Sequence, residues 1–271
     1  MKPDGPPDPG SWPRKLFRRS VLKQKKLAEI TGMLGPSSGL RCLDLGSDNG
    51  VVSLLLRERG GSWASGDLTE EAVASIRGLV TEDAHLVEGG RLPFPDAAFD
   101  AVVVVDMLEH VPDEASFVDE LARVTKGGGH LIVNTPHFKD TSLRRLRNAL
   151  GQTDEKHGHL RPGYTPERLR QLWEGKFEID RYHTYSRFFS ELVDTLINVA
   201  VERLGKKGSA KGMVVTGGDL AKHRKMFFIY SLLFPVMWAV SRLDALVPAS
   251  GYMLIARARR TGKATERSAR S

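Results

Sequence analysis

Along this chain, short runs of consecutive apolar residues alternate with longer stretches whose apolar positions recur every three or four residues. That alternation is the mark of a parallel sheet covered by helices. It predicts strands at 41–45 (RCLDL), 62–66 (SWASG), 84–88 (AHLVE), 99–105 (FDAVVVV), 129–135 (GHLIVNT), about 177–184 (FEIDRYHT) and 251–257 (GYMLIAR). Val102 to Val105 are apolar at every position, as expected of a central strand buried on both faces. Leu16, Phe17, Val21, Leu22, Leu27, Ile30 and Leu34 predict one amphipathic helix over 13–34, stopped by Gly35-Pro36. Further helical patterns lie at 50–59, 69–79 and 113–125. Gly127-Gly128-Gly129 is read as the turn into the fifth strand. Residues 136–163 are read as a polar crossover rich in His and Arg. Thr165-Pro166-Glu167 then opens a helix with an N-cap, a first-turn proline and a first-turn acid.

A stretch of roughly 65 residues separates the last two strands, far longer than an ordinary connection. Within it, Phe188, Leu192, Val193, Leu196, Ile197, Ala200 and Leu204 give 187–204 a broad apolar helix face. Residues 226–241 (MFFIYSLLFPVMWAVS) carry no charge and have Pro235 in the middle. A helix of that length spans about 24 Å, short of the roughly 30 Å of a bilayer's hydrocarbon. Its flanks are basic (His223, Arg224, Lys225, Arg242), and Trp238 and Tyr230 lie inside. A helix pair lying in the plane of a membrane fits this pattern better than a span; a lid over the site or a homodimer interface is the alternative. The expected organisation is a disordered N-terminus over 1–12, a core domain over 13–186 and the helical insertion over 187–249. A final core strand over 250–258 and a basic, disordered tail over 259–271 complete it.

Charge changes the picture of partners. Forty basic and 33 acidic residues leave a net charge of +7, which favours a polyanion, either nucleic acid or an anionic membrane face. The excess gathers at Arg14, Lys15, Arg18, Arg19, Lys23, Lys25 and Lys26, at Arg203 to Lys211, at His223–Lys225 and in the tail. A merely solvated basic face is the plain alternative. Cys42 is the only cysteine, so no intrachain disulfide is possible. With no apolar signal region at the N-terminus, a cytoplasmic protein, working at the inner face of the cell membrane, is expected.

The chemistry centres on Cys42-Leu43-Asp44-Leu45-Gly46-Ser47-Asp48-Asn49-Gly50, which leaves a strand and enters a helix. The glycines allow a tight turn and close approach of a ligand, but a dinucleotide-binding loop has glycines too. The acids discriminate. A pyrophosphate seated at a helix N-terminus would be repelled by Asp44 and Asp48, whereas a ligand bearing an ammonium and a sulfonium is favoured. Asp67 ends the second strand, about 20 residues after the loop, where an acid accepts ribose hydroxyls. Glu88 ends the third strand at the height of an adenine amino group. Strand ends along one sheet edge converge at the topological switch point, so these residues are expected to share one pocket.

On LDLGSDNG, GDLTEEAV, LPFPDAAFDAVVVVDMLEHVPDEASFVDELARVTKGGGHLIVNTPH and GHLRPGYTPERLRQLWEGKFEI, the chain resembles the class I S-adenosylmethionine-dependent methyltransferases over about residues 40–180, especially the small-molecule branch that includes quinone methylases. The resemblance implies an α/β, Rossmann-like fold: a seven-stranded, mostly parallel sheet flanked by helices, its final strand antiparallel. It implies S-adenosylmethionine as cofactor. Asp44 and Gly46 would line the methionine end, Asp67 the ribose and Glu88 the adenine, where the family usually has Asp. Asp106 and Met107 would flank the sulfonium. Ser47, Asp48, Gly50, Leu68 and Gly89 complete the expected cofactor contacts. Asp48 departs from the family's usual Gly; if the position needs a positive φ, Asp tolerates it. That departure leaves a non-catalytic cofactor-binding protein as one alternative.

For the acceptor, an oxygen nucleophile usually needs a base, and His137 and His110 are the expected catalytic candidates, ahead of His157, His159 and Asp106. His137 directly follows the fifth strand. His157-x-His159 lacks an acid or cysteine cluster in sequence, so no metal is expected. Nucleic acid as acceptor is disfavoured, since Asp106-Met107-Leu108-Glu109-His110 lacks the Asn/Asp-Pro-Pro-aromatic run of amino-group methylases, and Cys42 lies inside a core strand. The expected acceptor is a small or lipid-linked molecule.

Overall fold

A computed structural model describes residues 11–80, 83–204 and 217–262. Among them, seven strands form one sheet in the order β3-β2-β1-β4-β5-β7-β6. β1 (Arg41–Leu45), β2 (Ser62–Asp67), β3 (Ala84–Leu86), β4 (Phe99–Val105) and β5 (Thr125–Pro136) are mutually parallel. β7 (Met253–Arg260) runs antiparallel between β5 and β6 (Phe177–Tyr185). The chain winds outward from β1 through β2 and β3, then returns to β4 on β1's other side. The switch point between β1 and β4 is therefore where a crevice opens at the carboxyl edge.

Period-two alternation explains the two-sided core. Leu43, Leu45, Val102, Val104, Leu131 and Val133 face one layer with Phe117, Leu121, Leu169 and Trp173. Cys42, Ala101, Val103, Val105 and Ile132 face the other, with Ile30, Met33 and Leu56. Those partners come from α5 (Glu114–Val124) and α7 (Pro166–Trp173) on one side, and from α2 (Val21–Leu34) and α3 (Val51–Arg57) on the other. α4 (Glu70–Val80) covers β2 and β3 with Val73, Ile76 and Val80.

Several boundaries differ from the sequence reading, each for a local reason. The first helix is two: α1 (Ser11–Phe17) begins inside the segment expected to be disordered, and Ser20 adopts an extended backbone and caps α2 by accepting from the Lys23 N–H at 3.3 Å. β5 starts at Thr125, directly after α5. Its register against β4 jumps from Phe99–Thr125 to Ala101–His130, so Gly127–Gly129 form a bulge within the strand and not a turn before it. A Cβ on Gly129 would lie 2.8 Å from the Asp100 carbonyl oxygen. β3 stops at Leu86, leaving Glu88 beyond the strand in a bridge to Arg91. β7 runs on to Arg260, two residues into the expected tail. The polar crossover contains a helix, α6 (Ser142–Ala149), capped by Thr141. Thr165 caps α7 as expected, accepting from the Arg168 N–H at 3.2 Å.

The insertion between β6 and β7 is helical, as its apolar spacing predicts. α8 (Phe188–Leu204) and α9 (Gly217–Arg242) pack against each other, and α9 continues through Pro235. Asp244 ties the pair to the core: its carboxylate accepts from the backbone N–H groups of Arg187, Phe189 and Ser190, and from Lys25 Nζ at 3.1 Å. Phe228, Leu232, Leu233, Val236, Trp238, Leu243 and Leu246 are exposed. Among the described residues no helix is long and apolar enough to cross a membrane. The disorder expected of 1–10 and 263–271 lies outside the described residues, as do the side chains of Arg203–Lys211 and His223–Lys225.

Candidate active site

Gly46 leaves β1 with φ 80°, and its N–H donates to the Gly66 carbonyl at the end of β2. A Cβ there would sit 2.2 Å from the Val105 carbonyl oxygen and 2.8 Å from Met107 Cβ. The loop is thus pressed onto the end of β4 so tightly that only glycine fits. Asp48 holds φ 52°, a positive value that Asp tolerates better than most residues, and stays exposed. Gly50, φ 74°, starts α3 against the Ile76 backbone.

Asp44 plays a different part from the one its motif position implies. It is fully buried, and its carboxylate accepts from the hydroxyls of Ser47 (2.7 Å), Ser53 and Ser65 (2.8 Å) and from Arg57 Nη1 at 3.2 Å. This network fixes the loop from beneath, and Arg57 balances the charge, so Asp44 contributes little to the crevice's preference for a cation. At the strand ends the remaining acids are Asp48, Asp67 and Asp106, the last of them paired with Lys26. Asp67 is nearly buried at the end of β2, where it accepts from the Asp48 N–H at 3.1 Å and its neighbour Leu68's N–H at 2.7 Å. Desolvation pushes its carboxyl pKa up, against those two hydrogen bonds. Glu88 and Gly89 lie exposed beyond β3.

Asp106 follows β4 with φ 45°, its N–H donating to the Asn134 carbonyl at 2.9 Å. Asn134 Nδ2 donates to Asp106 Oδ1 at 2.7 Å, and the Tyr185 hydroxyl donates to Asn134 Oδ1. Lys26 Nζ pairs with Asp106 Oδ2. Desolvation opposes the Lys26 charge, yet the Asp106 carboxylate beside it holds its pKa above the ordinary value. Asn134, Tyr185 and Lys26 escaped the sequence reading. Lys26 and Lys25 look like members of a basic surface cluster, but both reach inward to carboxylates.

The two candidate bases fall in separate clusters. His137 Nδ1 donates to the Gly251 carbonyl at 2.9 Å, which leaves Nε2 as the basic nitrogen. His110 Nδ1 donates likewise to the Gly158 carbonyl at 2.9 Å. Beside His110, the rings of His110 and His159 meet edge to face at 4.9 Å, and Glu109, His110 and His159 bring one ligand atom each within 4.8 Å of one another. His159 lies 3.9 Å from Asp154, and Glu109, 50 residues away in sequence, joins the two histidines only in the fold; the His157 side chain lies outside those described. Glu109 is fully buried, Thr135 donates to its Oε2 at 3.1 Å, and Oε1 has no partner. Burial first, then the Asp106 charge, raises its pKa to about 8.

Comparison with known proteins agrees with this geometry. Residues 43–133 match a family described as a methyltransferase domain. The chain belongs to the class I S-adenosylmethionine-dependent methyltransferases. It is 39% identical over 107 residues to a ubiquinone biosynthesis O-methyltransferase of Xylella fastidiosa, covering 37% of this chain and 43% of that protein. It is 31% identical over 179 residues to the 27-O-demethylrifamycin SV methyltransferase of Amycolatopsis mediterranei, covering 58% of this chain and 66% of the other. The chain spans about half the length of the curated ubiquinone-pathway relatives it matches. Among solved structures, the fold is shared with the [4+2]-cyclase SpnF (TM-score 0.57, 19% identity, 88% of this chain and 82% of the other). It is also shared with Haemonchus contortus phosphoethanolamine N-methyltransferase 2 in complex with S-adenosyl-L-methionine (0.55, 14%, 88% and 52%).

The crevice of this methyltransferase domain fits the family's cofactor. Gly46 turns the chain where a Cβ would collide with the end of β4, and Asp67 and Asp106 are acids that suit ribose hydroxyls and a cationic donor. Asp67→Ala should weaken S-adenosylmethionine binding by about tenfold or more, the value of a charged hydrogen bond, measured by calorimetry; unchanged affinity would remove the end of β2 from the site. Glu109 gives a pH signature. Its folded pKa is raised from the ordinary 4.5 to about 8, so its stabilising contribution is complete below the first value and lost as pH rises through the second. Against Glu109→Gln, which keeps the shape without the charge, the wild-type protein should lose unfolding free energy across that window and not below it. A constant difference between the two would contradict the assignment.

Proposed function

We propose that the protein transfers a methyl group from S-adenosylmethionine to a small or lipid-linked acceptor at a membrane surface. The observation that carries this reading is the acidic, glycine-cradled crevice at the β1/β4 switch point. When bound, the cofactor supplies an electrophilic methyl carbon on a cationic sulfur. The protein's own part is to align an acceptor for in-line attack, where positioning accounts for much of the rate. His137, its Nδ1–H held by Gly251, presents Nε2 to take the acceptor's proton. His110 is the second candidate, with the same tautomer fixed by Gly158.

The membrane part of the reading rests on α9 and the turn after it. Leu232, Val236, Leu243 and Leu246 form an exposed apolar stripe at helical spacing, and no acidic residue occurs from 220 to 243. Arg242 lies 3.8 Å from the Trp238 ring centroid, and Arg19 lies over Phe234 at 5.7 Å. An apolar face collared by arginines suits the interface of an anionic bilayer. A small-molecule acceptor also agrees with the pathway named for the Xylella relative, a ubiquinone O-methyltransferase.

The direct test incubates the protein with methyl-labelled cofactor and a fractionated cell extract. Label is expected in the lipid or small-molecule fraction; label in RNA, or cofactor binding without transfer to any fraction, would overturn the reading. For the membrane surface, the protein should sediment with vesicles containing anionic lipid. Leu232→Glu with Val236→Glu should weaken that binding by more than about tenfold, since each buried apolar side chain is worth about 1.5–3 kcal/mol. Equal behaviour of the variant and wild type would argue for a lid or a dimer interface.

A further inference from the structure

Lys26 lies on α2, outside every segment whose motif points to cofactor binding, yet its ammonium is bound to a carboxylate at the end of β4. Asp106 is held from all sides: Oδ2 by Lys26, Oδ1 by Asn134, its N–H by the Asn134 carbonyl. Its side chain keeps 34% of its exposure, and that of Lys26 keeps 20%, so the pair is partly desolvated but open to a ligand. Its chain neighbours, Val105 and Met107, are the groups on which the Gly46 loop presses. The carboxylate therefore stands beside the loop that would carry a cationic cofactor, and it already holds a cation. Other acids, Glu109 and Asp194, also contribute to the field at Lys26.

We infer that Lys26 occupies in the ligand-free protein the charge position that a sulfonium would take, and that in the loaded site it is a positioning cation whose repulsion selects against the charged donor relative to the neutral product. The inference rests on the methyltransferase reading above. Two cations beside one carboxylate repel each other in a crevice that water screens poorly. S-adenosylmethionine bears that extra charge on sulfur and S-adenosylhomocysteine does not. In methyl transfer the acceptor oxygen forms a bond to the methyl carbon and yields its proton to a base. The carbon–sulfur bond breaks, its electron pair stays on sulfur, and the positive charge is lost. The repulsion is relieved as the reaction proceeds, so it raises the ground state more than the transition state.

The test is calorimetric titration of S-adenosylmethionine and S-adenosylhomocysteine into wild-type protein, Lys26→Met and Lys26→Arg. Lys26→Met should tighten S-adenosylmethionine relative to S-adenosylhomocysteine by about tenfold, a size expected of one nearby charge at intermediate screening. Lys26→Arg, which keeps the charge, should leave the wild-type ratio. An unchanged ratio in Lys26→Met, or an equal change for both ligands, overturns the inference while leaving the methyltransferase reading intact. Wild-type protein that binds neither nucleoside defeats that reading itself. If Lys26→Met does not fold, Lys26→Gln, which can still donate to Asp106, carries the same expectation.

Discussion

The site depends on one tight contact, the glycine at the end of β1 lying against the carbonyl at the end of β4. Where the Gly46 backbone meets Val105 and Met107, no side chain fits, and the ends of two adjacent parallel strands are locked at one height. The buried Asp44 secures this from below by gathering three serine hydroxyls and Arg57, so that a charge placed in the core is fully satisfied. With the loop fixed, Asp67 at the end of β2 and Asp106 just after β4 flank it on either side.

Much of this is legible in the residues. The run of four valines, the strand–glycine–helix motif and the Thr165 cap specify the parallel sheet and its order of elements through local rules alone. What the sequence hid was tertiary. Asp44 in a glycine loop looks like a ligand-facing acid, and only the serines on two other elements reveal that its oxygens are occupied. Ser20 breaks a helix whose apolar spacing runs straight through it, since a capping hydroxyl and a mid-helix serine look alike in one dimension. The glycine triplet at 127–129 spells a turn, yet pairing with β4 on both sides of it makes it a bulge within β5. Lys25 and Lys26 read as surface charge because their partners lie 80 residues or more away, on β4's end and after α9.

The insertion joins these layers. Asp244 binds it to Lys25, and the next residue along α2 reaches into the crevice, so the apolar surface and the candidate site share one helix. On the membrane reading proposed above, an acceptor drawn from a lipid phase would reach the crevice from the side of this apolar surface. The basic residues around α1 and α2 divide into those that pair inward and those, such as Arg18 and Arg19, that remain exposed.

A crevice edged by acids at the ends of β2 and β4 suits a sulfur nucleoside and not a pyrophosphate. A crystal structure of the protein grown with S-adenosylhomocysteine tests it most directly. The ribose is expected on Asp67 and the sulfur beside Asp106, over the Gly46 loop. Nucleoside density elsewhere on the molecule, or a dinucleotide retained in that crevice through purification, would contradict it.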